Sequence, residues 1–323
     1  MRYDVSRRSH LFSFMGDVHH TLTRQPFGFF DHTVVLATHR STLGIVFDFG
    51  AVLLLPLLAI SLSFSAQAEI RDVLKSAEID AMLARASRDT AIHESPHYAI
   101  WLLVRSGEAG RPETHQNIDE ILFVRRGSAV ISLASTPGPV DGRLQRLEAG
   151  AGDVIKIPAG ALHQIDPLGS RFESLAVRIA SVREGVQART GIRPVEHQMP
   201  DLLKKSEIDA TFTHFDSNQP IHAAPNFTMN YVIYTGHGGP WEAHAGCVDI
   251  YFLKVGIATG QIGGEIKNAK EDIPGEPRGD GVSGERSYPI GPGDVVVIPR
   301  NTTHHMEPGA EKLGYVLIKV WVD

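Results

Sequence analysis

This sequence predicts an all-β protein of two tandem barrels with short flanking helices, and three observations carry that reading. A pattern of acidic, histidine, glycine and proline residues is written twice. Glu113-x-His115-x4-Glu120-x6-Gly127, followed by Gly152-Asp153-x4-Pro158-x-Gly160-x2-His163, recurs as Glu242-x-His244-x4-Asp249-x6-Gly256, followed by Gly293-Asp294-x4-Pro299-x-Asn301-x2-His304. The two copies also share a frame outside the motifs: Glu78-Ile79-Asp80-Ala81 and Glu207-Ile208-Asp209-Ala210, and Gly107 and Gly236, stand 129 residues apart, as do the motif glycines Gly127 and Gly256. After Glu69, short β-branched and aromatic runs alternate with Gly, Pro and Asp, the patterning of a small β barrel or sandwich.

Residues 1–68 stand apart from the rest. They hold no Lys or Glu, five Arg, four Asp and five of the 16 histidines. An apolar run from Ala51 to Phe64 leads into Ser65-Ala66-Gln67-Ala68. That run is shorter than the roughly 20 residues a membrane span needs, and it has the form of a secretory h-region with an Ala-x-Ala cleavage site. Cleavage is expected after Ala68, giving an exported protein, periplasmic or secreted, with no stable membrane insertion; an uncleaved anchor is the alternative. The acidic Asp48 and the long unpatterned stretch before it suggest a native start downstream of Met1. Histidines of this segment, His19 and His20 included, are set aside as site candidates.

The first copy is assigned to residues 69–190. A short helix is expected at 76–86, then strands at 97–104, 121–124, 128–133, 154–157 and 175–179, with turns at Gly107, Gly127 and Pro158-Ala159-Gly160. Residues 181–200 read as a linker with some helix. The second copy, 191–323, is expected to open with a helix at 205–211 and to close on a strand at 315–321. Its two motifs stand 12 residues further apart than those of the first copy. The excess falls in or near residues 267–287, a Gly-, Pro- and charge-rich stretch that reads as a long loop able to form a lid.

Alternate residues of a strand face the same way, so Glu113 and His115 are expected to project together, with Glu120 reaching them from the next strand and His163 arriving after its turn. Two carboxylates and two imidazoles buried together in an apolar barrel are costly unless paired. A divalent cation satisfies all four. The expected metal ligands are therefore Glu113, His115, Glu120 and His163 in the first copy and Glu242, His244, Asp249 and His304 in the second. Glu113 and Glu242 are alternatively catalytic bases beside the metal. Asp249 is one methylene shorter than Glu120, which is expected to weaken the second site.

These residues resemble the two signature motifs of the cupin superfamily, and their duplication resembles a bicupin. In that family the motifs run Gly-x5-His-x-His-x3-4-Glu-x6-Gly and Gly-x5-Pro-x-Gly-x2-His. Gly107, His115, Glu120, Gly127, Gly152, Pro158, Gly160 and His163 match, as do Gly236, His244, Gly256, Gly293, Pro299 and His304. Glu113 and Glu242 stand in place of the first histidine, Asp249 in place of the glutamate and Asn301 in place of a glycine. The resemblance covers about residues 70–323. It implies a double-stranded β-helix, or jelly-roll, fold in each copy. The Glu-x-His variant looks most like exported bacterial cupins without a settled activity.

Carboxylate-rich ligation with two open positions suits Mn or Fe first, and Zn or Ni after them. The leading functional expectation is a metal-dependent oxidoreductase of dioxygenase type acting on a small oxygenated or aromatic metabolite. A non-catalytic exported binding protein is the alternative, with oxalate-decarboxylase-like or sugar-isomerase chemistry behind it. A net charge of −6 and a pI near 6.2 leave no basic field for a phosphate backbone, so nucleic acid is not an expected partner. Cys247, the lone cysteine, excludes an intrachain disulfide. It is read as a small buried residue rather than a ligand. Tyr98, Trp101, Tyr231 and Trp241 are read as core aromatics, with lining a pocket for a planar substrate as the alternative.

Overall fold

The computed structural model describes residues 72–134, 144–181, 198–309 and 312–322. The expected signal segment and cleavage site, and most of the expected linker, lie outside the described residues. No helix among those described is long and apolar enough to cross a membrane.

The first copy runs β1 (Val73–Leu74), α1 (Ser76–Arg85), β2 (Thr90–Glu94), β3 (Tyr98–Ser106), β4 (Ile118–Arg126), β5 (Ser128–Ala134), β6 (Leu144–Gly150), β7 (Val154–Ile157), β8 (His163–Pro167) and β9 (Arg171–Ala180). The second runs β10 (Leu202–Leu203), α2 (Lys205–His214), β11 (Gln219–Ala223), β12 (Phe227–Thr235), β13 (Trp241–Glu242), β14 (Cys247–Val255), β15 (Ala258–Ile262), β16 (Glu265–Lys267), β17 (Arg278–Gly279), β18 (Gly281–Ser283), β19 (Arg286–Ile290), β20 (Val295–Ile298), β21 (His304–Pro308) and β22 (Lys312–Trp321). The all-β expectation holds, with each copy prefaced by one short helix. Residues 267–287, expected as a loop, instead carry the short strands β17 and β18, and β18 pairs with β16. Glycine and proline punctuate strands as well as loops, which is why composition hid them.

In each copy a six-stranded antiparallel sheet faces a smaller one. The orders are β10-β7-β4-β9-β3-β2 and β6-β5-β8 in the first copy, and β1-β20-β14-β22-β12-β11 and β17-β13-β21-β15-β19 in the second. Gly127 turns the chain from β4 to β5 at φ +75°, where a Cβ would lie 2.2 Å from the Arg171 carbonyl oxygen. Only glycine fits there. Asn301 stands at φ +59° where the first copy has Gly160 at +78°, and asparagine tolerates this left-handed backbone, which explains the departure from the motif.

The two copies exchange their leading arms. β1 precedes the first copy but pairs with β20 of the second, and β10 precedes the second copy but pairs with β7 of the first. The aspartate of each Gly-Asp pair secures this exchange. Asp294 accepts a hydrogen bond at 2.7 Å from the Ser76 N–H that opens α1, and Asp153 accepts one at 2.7 Å from the Lys205 N–H that opens α2. Each is also paired with a lysine, Asp294 with Lys75 and Asp153 with Lys204. Each helix thus has its unsatisfied first-turn donors capped by a carboxylate from the opposite copy, the favourable sign at a helix N-terminus.

A hydrophobic core formed by both copies lies between them. It takes in Ile79, Ile121, Phe123 and Val177 from the first copy and Ile208, Ile250, Phe252 and Ile318 from the second. Phe123 and Phe252, equivalent residues of the repeat, stack on each other with ring centroids 3.5 Å apart. Each copy keeps a further core of its own beneath its smaller sheet, with Leu122, Ile131, Ile155 and Phe172 in the first and Tyr251, Ile262, Val296 and Leu313 in the second.

Candidate metal centres

In the first copy Glu113 and His163 exchange backbone hydrogen bonds of 2.8 and 2.9 Å, which sets their side chains beside one another. The strand expected to carry both Glu113 and His115 is reduced to this single bridge. His115 is held through its carbonyl, which accepts from the Gly160 N–H at 2.9 Å. Glu120 comes from β4. The four side chains meet: His163 Nε2 is 3.5 Å from both Glu113 Oε1 and Glu120 Oε2, and His115 Nε2 is 3.6 Å from Glu120 Oε2. Glu120 and His163 are buried, whereas Glu113 and His115 are partly exposed and form the open side.

The ring of His163 is oriented for ligation. Its Nδ1 lies 3.1 Å from the Ala161 carbonyl, so that nitrogen carries the proton and Nε2 presents a lone pair to the carboxylates. Nε2 of His115 and Nε2 of His163 are both buried with no hydrogen-bond partner among the described residues. Donors held about 2.0–2.2 Å from a common ion lie roughly 3.0–3.6 Å from one another, depending on coordination angle. The three histidine–carboxylate distances of the first cluster, 3.5, 3.5 and 3.6 Å, fit that requirement. The neighbouring His163 imidazole, helped by Arg105 and opposed by burial, brings the Glu113 carboxyl down to about 2. Burial lowers the affinity of His163 for a proton, but Glu113 and Glu120 outweigh it and the net shift is upward.

The second copy repeats the arrangement with Glu242 on β13, Asp249 on β14 and His304 on β21, while His244 is held by the Asn301 N–H at 2.7 Å from its carbonyl. His304 Nδ1 lies 3.0 Å from the Thr302 carbonyl, and its Nε2 is buried and unpaired among the described residues. His244 Nε2 is 3.7 Å from Glu242 Oε1 and 3.6 Å from Asp249 Oδ2, and His304 Nε2 is 3.8 Å from both oxygens. The shorter Asp249 stands as near to His244 as Glu120 does to His115, at 3.6 Å, but lies 3.8 Å from His304 where Glu120 lies 3.5 Å from His163. By distance alone, Glu113, His115 and His163, and likewise Glu242, His244 and His304, bring ligand atoms within 4.8 Å of one another.

Sequence reasoning missed the basic residue at each site. Arg178 on β9 is in register with Glu120, and Lys319 on β22 is in register with Asp249. The Arg178 guanidinium binds Glu120 Oε1 and lies over the Trp101 ring at 4.5 Å, leaving Oε2 to the histidines. Lys319 does something different. Its ammonium donates at 2.8 Å to His244 Nε2 and at 3.2 and 3.0 Å to the two oxygens of Asp249. Burial alone would raise the Asp249 carboxyl, but Lys319, together with His304 and His244, more than reverses that effect. The signal that could have exposed this pair was the matched position of Arg178 and Lys319, 141 residues apart as are His163 and His304.

Cys247, Tyr98 and Tyr231 fall as expected, whereas Trp101 and Trp241, expected in the core, are only partly buried. Cys247 is buried, its Sγ 3.4 Å from Asp249 Oδ1, and burial pushes the thiol up, away from reactivity. Tyr98 and Tyr231 are buried in the shared core. Trp101 carries Arg178, and Trp241 stacks on His305 at 4.8 Å.

Solved structures share this arrangement of sheets. A cupin 2 conserved barrel domain protein from Leptotrichia buccalis aligns over 79% of this chain and 100% of its own, at TM-score 0.52 and 13% identity. The salicylate 1,2-dioxygenase of Pseudaminobacter salicylatoxidans aligns over 77% of this chain and 83% of its own, at TM-score 0.54 and 9% identity. The fold is that of the cupins. An oxalate decarboxylase from Lactobacillus farciminis is less alike, with TM-score 0.44 and 16% identity over 77% of this chain and 80% of its own. No family model matches the chain, and no curated protein sequence matches it. Identities this low carry the cupin fold alone.

Proposed function

We propose that this cupin is a metal-dependent protein whose working centre is Glu113, His115, Glu120 and His163, with Mn or Fe as the ion. The observation that carries the reading is the pair of buried imidazole nitrogens of His115 and His163, without a hydrogen-bond partner among the described residues and facing carboxylate oxygens at 3.6 and 3.5 Å. Such groups are costly to leave unsatisfied, and a divalent ion satisfies them together. Between the two roles expected for Glu113, ligation is the better supported. Its Oε1 lies 3.5 Å from His163 Nε2, the spacing of two donors to one ion.

The proposed activity is dioxygenase-type oxidation of a small oxygenated or aromatic metabolite. When bound, the metal would supply Lewis-acid and redox chemistry. The protein's own part is to hold Glu120 through Arg178, to fix the His163 tautomer through Ala161, to anchor Glu113 through Arg105 at 3.1 Å, and to leave the His115 side open to a small ligand. Support for the finer reading is the donor set together with the fold shared with a salicylate dioxygenase. Oxygen uptake by the Mn- and Fe-loaded protein on a panel of catechols, flavonols and dicarboxylates tests it. Tight metal loading without turnover on any of them would leave the binding-protein alternative.

Export is a further part of the proposal, supported by the run from Ala51 to Phe64 and by Ala66-Gln67-Ala68. Native protein isolated from its source should begin at or within a few residues of Glu69. Retention of the 53–58 leucines would overturn it.

A further inference from the structure

Lys319 and the inserted residues of the second copy set the two centres apart more deeply than the Glu120-to-Asp249 difference does. In the first centre both imidazole Nε2 atoms are unpartnered. In the second, His304 Nε2 is likewise unpartnered among the described residues, but the lone pair of His244 Nε2 already accepts from the Lys319 ammonium at 2.8 Å. Asp249 is likewise occupied: besides Lys319 it accepts from the Tyr251 hydroxyl at 3.2 Å and from the Cys247 thiol at 3.4 Å. A lone pair shared with an ammonium proton is not available to a metal.

The difference has a cause in the sequence. Arg178 is drawn aside because Trp101 offers it a ring face. The residue equivalent to Trp101 in the second copy is Asn230, which has no ring, and the basic residue is a lysine whose compact head can enter the cluster. The inserted residues cover the same centre. Ala243 and Ala245 donate backbone hydrogen bonds to Pro277 and Gly275, Arg278 binds Glu242 at 3.2 Å, and Glu276 lies 4.0 Å from His244 Nδ1. His244 is 5% exposed as a result, whereas its counterpart His115 is partly open.

We infer that Lys319 is the resident cation of the second centre, so that this copy holds no metal and the chain binds a single ion, in the first copy. The second centre is then a fixed ion-pair cluster that ties β14, β21, β22 and the inserted strands together. The inference rests on the proposal that the first centre is a metal centre.

Metal stoichiometry tests it on the full chain, dialysed against Mn2+ and counted by mass spectrometry, with the electron paramagnetic resonance signal as a second readout. About one Mn2+ per chain is expected for the unaltered protein, about one for His304→Ala, none for His163→Ala, and about two for Lys319→Met, which removes the ammonium and keeps the stem. Two ions in the unaltered protein, falling to one in His304→Ala, would overturn the inference and leave the first centre standing. One ion that survives His163→Ala overturns it as well, because that ion sits in the second centre. One ion in Lys319→Met, folded as judged by circular dichroism, removes Lys319 as the excluding group. No ion in the unaltered protein but one in Lys319→Met would uphold Lys319 and sink the first centre. No ion in any of the four proteins overturns both. If Lys319→Met does not fold, Lys319→Leu replaces it, and the unaltered and His304→Ala counts decide without either.

Discussion

Arg178 and Lys319 stand at one register position of the repeat, each opposite the carboxylate of its centre, yet they lead to different chemistry because of what lies beside them. A ring next to Arg178 holds a planar cation away from the histidines, and Asn230 at the matching position offers Lys319 no ring face, so a point charge enters them. The double change Trp101→Asn with Arg178→Lys should therefore convert the first centre into a copy of the second, with Mn2+ binding by equilibrium dialysis weakened more than tenfold. Undiminished binding would mean that the neighbour does not choose the cation. Glu113 can be examined separately. If it is a ligand, Glu113→Gln weakens Mn2+ binding by about 10–100-fold, whereas a Glu113 acting only as a base leaves binding intact and removes turnover. The candidate donors themselves were legible in the sequence because their pattern is written twice, even though Glu113 and His115 share no strand but stand beside a single bridge. The basic residues were not, because a lone Arg or Lys on a closing strand has no motif around it and acquires meaning only through register.

Secondary structure obeyed local signals where those signals were strong. The β-branched run at Val154–Ile157 is a strand over the residues its pattern marked, and the helices start at Ser76 and Lys205 as expected. The Gly-Asp pairs were visible twice, but their purpose was not, since Asp153 and Asp294 cap helices more than 50 residues away in sequence or beyond. Asp153 makes a pH prediction. Burial raises its pKa, but the N–H groups of Gly150 and Lys205 and the Lys204 ammonium outweigh burial, and the folded-state value is lowered. A carboxyl lowered by folding contributes stability that is complete above the unfolded-state value of about 3.9 and is lost as pH falls through the folded-state value. Asp153→Asn should cost about 1–3 kcal/mol at pH 7 by chemical denaturation, and the difference from the unaltered protein should shrink as pH falls below about 4. A difference that stays constant down to pH 2 would count against an ionised cap.

At the scale of the molecule the two copies share one core and exchange their leading arms, which the internal repeat alone did not show, because a repeat is equally compatible with two independent barrels. The equivalent rings of Phe123 and Phe252 stack at the junction, with the Lys254 ammonium 5.4 Å from the Phe123 ring. Burial, reinforced by Arg125, brings Lys254 down to about 8. A lysine lowered by folding disfavours the folded state while it is charged, so stability should rise with pH between about 8 and 10.4 from this group. Lys254→Met should raise the melting temperature at pH 7 and flatten that rise; a lower melting temperature would show that the ammonium stabilises the junction.

The exchanged arms decide what happens when the chain is divided. Residues 69–190 alone would keep β2–β9 but leave β1 without β20, α1 without the Asp294 cap, and the apolar face of Ile79, Phe123 and Val177 open to water. Residues 191–323 alone would lose β7 as the partner of β10, Asp153 as the cap of α2, and the matching face at Ile208 and Phe252. An apolar face that large drives association, since removing it from water is worth roughly 25 cal/mol per Å2. Each half expressed separately should therefore aggregate or unfold without a cooperative transition, while coexpressed halves should assemble into a one-to-one complex with a single melting transition. Calorimetry and light scattering on the separate and coexpressed halves read this directly. A half that melts cooperatively by itself, near the temperature of the intact chain, would show that the exchanged arms are ornaments on two independent cupin units rather than the contacts that make them one.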